Sequence, residues 1–104
     1  MNKKIVIIFQ PHTFTRTKEF YKDLITVFNK ADASYILDIH PAREQQEDYP
    51  EVTSNLIIDE VNNGYHINLD EADKLSKYDN TVFAFMSPND ISKLEKDLEK
   101  YLKQ

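Results

Sequence analysis

Ile5-Val6-Ile7-Ile8-Phe9-Gln10-Pro11-His12-Thr13-Phe14-Thr15-Arg16-Thr17 decides how the rest of the chain is read. Five apolar residues in a row, four of them β-branched, fit a strand buried on both faces, as parallel strands in α/β proteins are. Pro11 cannot donate a ladder hydrogen bond and pushes Gln10 toward an extended conformation. The strand is therefore expected to stop at Gln10, with His12 to Thr17 as a polar turn and a helix after it. That places His12 and Arg16 beyond the carboxyl end of a parallel strand, where open α/β sheets bind ligands.

Working outward, Phe20, Leu24, Val27, Phe28 and Ala31 recur at helical spacing and predict an amphipathic helix of about four turns. Ser34 to Ile39 reads as a second parallel strand closed by Pro41, completing a right-handed βαβ unit. His40 to Pro50 has no apolar period and reads as an exposed loop at the same carboxyl edge. Val52 to Val61 predicts a helix with Thr53 or Ser54 at its N-cap and Asn63-Gly64 as its stop. A short extended piece follows from Tyr65 to Leu69, then a brief helix opened by Asp70 and running to about Lys77. Thr81 to Met86 is as apolar as the first strand and is expected to be central. Ser87-Pro88-Asn89-Asp90 has the form of a helix start, and Ile91, Leu94, Leu98, Tyr101 and Leu102 form the stripe of a last helix. The order β-α-β-α-β-α-β-α predicts one three-layer, Rossmann-like α/β domain over residues 1–104, with a mostly parallel sheet of about four strands in the order 3-2-1-4.

Composition bounds the function. The 104 residues carry 13 Lys plus Arg against 18 Asp plus Glu, a net charge of −5, which repels a phosphate backbone and makes nucleic acid an unlooked-for partner. There are no cysteines, so there are no disulfides and no thiolate metal sites. The basic, apolar opening is like the start of a signal peptide, but its apolar run is too short for export or for crossing a membrane. A cytoplasmic location is the expectation. Gly64 is the only glycine, which excludes a P-loop or a glycine-rich dinucleotide fingerprint.

The predicted strand tips bring His12, Arg16, Asp38, His40 and Arg43 to one crevice. An arginine fork holds a carboxylate or phosphate, and a histidine beside it adds a hydrogen bond or takes a proton. Plainer roles stand beside these. His12 also suits a turn-capping role, Arg43-Glu44 reads as a local ion pair, and His66 reads as a satisfied structural histidine in an apolar strand. Asp38, with no glycine fingerprint ahead of it, carries little as a ribose-binding acid. The three histidines at 12, 40 and 66 lack the paired spacing of a zinc site, so no metal ligand is assigned.

Phe9 to Thr17, Ala31-Asp32 and Asp38-Ile39-His40-Pro41-Ala42-Arg43-Glu44 together resemble, in order and spacing, the C-terminal domain of the bacterial Mur ligases, and within them the members that join L-alanine to UDP-N-acetylmuramate. The resemblance implies a Rossmann-like domain that closes over an ATPase domain and binds the incoming amino acid. By it, His12 and Arg16 orient the alanine carboxylate, and Thr13, His40, Arg43 and Asp90 fall at the substrate side. Thr13 stands where some members have a second arginine, and His40 where tyrosine is usual. Ser87-Pro88-Asn89-Asp90 stands where Gly-Ala-Gly-Asp is general, with only Asp90 in common. ATP and Mg2+ would serve the complete enzyme, held mainly by the UDP-binding and ATPase domains that this sequence lacks. The expectation is a piece of a ligase with no catalytic residue of its own, inactive in isolation. The alternative is a free-standing, non-catalytic binding module derived from such a ligase.

Overall fold

A computed structural model describes residues 3–87 and 92–102. Strand β1 (Lys4–Phe9) leads into helix α1 (Phe14–Phe28), and β2 (Ala33–Ile36) follows. A long loop then reaches α2 (Asn55–Ile58), β3 (Gly64–His66), β4 (Thr81–Met86) and α3 (Ser92–Leu102). The four strands form one sheet in the order β3-β2-β1-β4, and every pairing is parallel. The α/β class and the strand order expected from the sequence are those observed.

Both faces of the sheet are covered, as the continuous apolar run of β1 requires. Val6 and Ile8 point to the face that packs Tyr35, Ile67, Leu75, Leu94 and Leu98. Ile7 points to the other, against Phe28, Ile36, Ile57 and Val61. A smaller cluster of Phe14, Ile39 and Val52, with Tyr49 and Leu56 against it, anchors the long loop after β2.

Several expected elements are displaced or shortened. Helix α1 starts at Phe14, inside the stretch read as a polar turn, because Thr13 takes the N-cap and its hydroxyl accepts the Arg16 N–H. Its buried stripe runs through Phe14, Thr17 and Phe28 with Tyr21, Leu24 and Ile25, so Phe20 and Val27 are left about half exposed. The second strand ends at Ile36 rather than Ile39. The second helix is a single turn, and the piece from Asp70 to Lys77 holds only a 3-10 turn at Ala72–Leu75. Ser54 does precede α2, but its buried hydroxyl donates to the Leu37 carbonyl instead of capping the helix. β4 is an edge strand, not a central one, with Val82 and Met86 exposed. The helix start at Pro88 to Asp90 lies outside the described residues.

Candidate functional site at the carboxyl edge

The tip of β1 is clamped from both sides. Gln10 N–H donates to the Met86 carbonyl at 3.1 Å, and Leu37 N–H donates to the Phe9 carbonyl at 2.9 Å. The next residues are then sewn to the loop after β2. His40 N–H donates to Pro11 O at 2.9 Å, and Thr13 N–H donates to His40 O at 2.8 Å. The result is a bridge between His12 and His40, whose rings stack with centroids 5.6 Å apart and planes 19° from parallel. Thr13 adopts φ 62°, ψ 150° to make this turn, a sparsely populated conformation for a β-branched residue.

A groove of about 360 Å3 opens beside this tip, lined by Phe9, Gln10, Pro11, His12, Arg16, Thr17, Phe20 and Leu24. Its walls are mostly apolar, and its polar groups come from His12, Arg16 and Gln10. The Arg16 guanidinium has no ion-pair or hydrogen-bond partner among the described residues. The buried Nδ1 of His12 has no partner either. An unsatisfied buried polar atom costs about 1–3 kcal/mol, so the site has hydrogen-bonding capacity unfilled. Gln10 is held in place: its side-chain amide donates to Asp38 O at 3.4 Å, and its Oε1 accepts from the Ser87 hydroxyl at 3.3 Å.

The amides at the start of α1 are occupied from within the chain. Glu44 Oε1 accepts the N–H of Phe14 at 2.6 Å and of Thr15 at 3.1 Å, and Glu44 Oε2 accepts the Thr15 hydroxyl. The Thr15 hydroxyl first, then the two amides and the charge of His12, hold the Glu44 carboxyl below its ordinary value against an upward push from burial. Glu44 therefore does not pair with Arg43, as its neighbour in sequence suggested. Arg43 is exposed on the turn after Pro41, outside the groove, with no ion-pair partner among the described residues.

The remaining candidates separate in the same way. Asp38 meets the groove only through its backbone carbonyl, which accepts from Gln10; its carboxylate is turned away, with Oδ1 2.8 Å from His66 Nε2. His66 is thus satisfied and does end strand β3, but its side chain is exposed at the surface rather than set in apolar surroundings. Thr13 contributes through backbone and cap, Asp90 lies outside the described residues, and His40 contributes its ring to the stack. Among the described residues no three His, Asp or Glu side chains gather where a metal ion would sit. The first amides of α1, which could otherwise receive an anion, are taken by Glu44. Glu44 is the residue that sequence reasoning missed. The signal was there: the first turn of α1 holds no acid and carries Arg16 against the helix dipole, so the helix needs an anion from elsewhere.

The chain is similar to enzymes named UDP-N-acetylmuramate–L-alanine ligase. It is 39% identical over 102 residues to that of Lactobacillus acidophilus, covering 97% of this chain and 23% of the relative. It is 36% identical over 104 residues to that of Lactococcus lactis subsp. lactis, covering 99% and 23%, and 44% identical over 71 residues to that of Paenarthrobacter aurescens, covering 68% and 15%. The chain thus spans about a quarter of the length of the first two curated relatives. No family model matches it.

Proposed function

Because this chain resembles the Mur ligases that join L-alanine to UDP-N-acetylmuramate, over 97% of its own length, we propose that it is the amino-acid-binding, C-terminal domain of such a ligase, acting in the cytoplasm on a peptidoglycan precursor. The observation that carries the reading is the groove at the β1 tip, which holds an unpaired guanidinium and an unsatisfied imidazole between apolar walls. That combination suits a small zwitterionic amino acid. Arg16 holds its carboxylate through two parallel N–H bonds. His12 adds a hydrogen bond, and Phe9, Pro11, Phe20 and Leu24 leave an apolar wall for a methyl side chain.

In the complete enzyme Mg-ATP activates the muramyl carboxylate as an acyl phosphate, and the alanine amine displaces phosphate to form the amide. ATP and Mg2+ are held by polypeptide outside this chain. The role of the present residues is to fix the amino acid so that its amine meets the acyl carbon, the kind of positioning that removes much of the entropic barrier of a two-substrate step. The chain alone is inactive. The test is incubation of the chain with ATP, magnesium, UDP-N-acetylmuramate and L-alanine. No phosphate release is expected, and appreciable turnover would overturn the fragment reading.

A further inference from the structure

Beside the Phe14–Ile39–Val52 cluster and the backbone bonds of His40, the loop between β2 and α2 is tied to the start of α1 by the side chain of Glu44. Three donors converge on the Glu44 carboxylate: the Phe14 and Thr15 amides and the Thr15 hydroxyl. Thr15 Oγ1 also lies 3.2 Å from the Tyr49 hydroxyl, and the Tyr49 ring stacks on Phe14 with centroids 5.8 Å apart. The same loop carries His40, whose ring lies on His12 and whose backbone is bonded to Pro11 and Thr13. One carboxylate thus sits between the loop that brings His40 and the helix that brings Arg16.

We propose that Glu44 is a positioning residue of the amino-acid groove: by seating on the first amides of α1 it holds the His12–His40 stack against the helix that presents Arg16. The proposal rests on the functional reading above and extends it. Glu44 also closes those amides to a second carboxylate. A substrate carboxylate entering the groove is thereby directed to Arg16 instead of the helix terminus, a competing anion site nearby.

The experiment follows the ring resonances of His12 and His40 by NMR in the whole chain, for wild type, Glu44→Ala and Glu44→Gln, with and without L-alanine. Glu44→Gln keeps an oxygen for the two amides and guards against loss of the fold. Glu44→Ala is expected to move both histidine resonances, leave those of the distant Tyr35–Tyr78 pair in place, and raise the L-alanine half-saturation by about tenfold, the scale of a misplaced contact. Glu44→Gln should fall between it and wild type. Unmoved histidine resonances in Glu44→Ala, or an unchanged half-saturation, overturn the proposal. If the wild-type chain shows no response to L-alanine, the amino-acid reading fails, while the histidine resonances still decide whether Glu44 holds the stack.

Discussion

His12 and His40 follow the carboxyl ends of the neighbouring strands β1 and β2 and meet there, stacked at 5.6 Å and joined by a backbone bridge. Neither belongs to a strand, yet together they extend the β1–β2 pairing past the end of both strands. The groove is therefore built on backbone continuous with the core.

Arg16 is exposed and its guanidinium has no partner among the described residues, so its removal should leave the fold unchanged within about 0.5 kcal/mol. In a complete ligase containing this chain, Arg16→Ala is expected to raise the alanine KM or lower kcat by the equivalent of about 1.5–3 kcal/mol, the scale of a charged hydrogen bond. Steady-state kinetics check it. An unchanged kcat/KM rejects Arg16 as a ligand.

Glu44 links stability to acidity. Its carboxyl is held below 4.5 in the folded chain, chiefly by the Thr15 hydroxyl, with the Phe14 and Thr15 amides and His12 assisting. The folded state thus binds this proton less readily than the unfolded state. The contribution is present above pH 4.5 and is lost as pH falls through the lowered folded value. Urea midpoints measured from neutral pH down should decline in this acid range, and Glu44→Gln should decline less.

Gly64 has room for no side chain. A Cβ there would lie 2.8 Å from the Ile58 carbonyl oxygen and 3.2 Å from the Val61 Cβ, and the first of these is backbone. Gly64→Ala is expected to cost about 1–3 kcal/mol by overpacking the α2–β3 turn, read as a lower urea midpoint at constant slope.

Ile8 sits on the central strand, opposite Tyr35 and Phe85 in register, and is fully buried. Ile8→Ala should lose about 2–5 kcal/mol, transfer and cavity terms together. Thermal unfolding by circular dichroism measures it, and a loss under 1 kcal/mol would contradict the packing described.

The parallel sheet and its order were readable because β1 and β4 are continuous apolar runs and a βαβ hand is nearly fixed. The burial of β4, though not its place in the order, was overestimated because apolarity reports burial by any means: Phe83 and Phe85 pack under α3, while Val82 and Met86 on the other face are left exposed. The α1 start was misplaced because its capping group comes from Thr13 in a strained turn and from Glu44 beyond the next strand, and local propensity carries neither. The helices at 52–61 and 70–77 shrank to single turns although Val52, Ile57, Val61, Ala72 and Leu75 are buried as the apolar spacing implied: the pattern reports burial, not helix length. At the site, Pro11 and the strand end were enough to locate His12 and Arg16. Arg43 and Asp38 were drawn in by sequence proximity, and the fold turns them elsewhere.

The register of β1 bears on how the chain assembles. Val6 meets Ala33, within the first third of the sequence, whereas Lys4 meets Thr81, near its end. During synthesis β1 and β2 can pair early, but the strand that flanks β1 on its other side emerges last. Until then the most apolar strand of the protein has one open ladder. Such long-range parallel pairing is slow and exposes an edge while it waits. The stretch that carries the groove is therefore also the segment that nascent chains must shield longest.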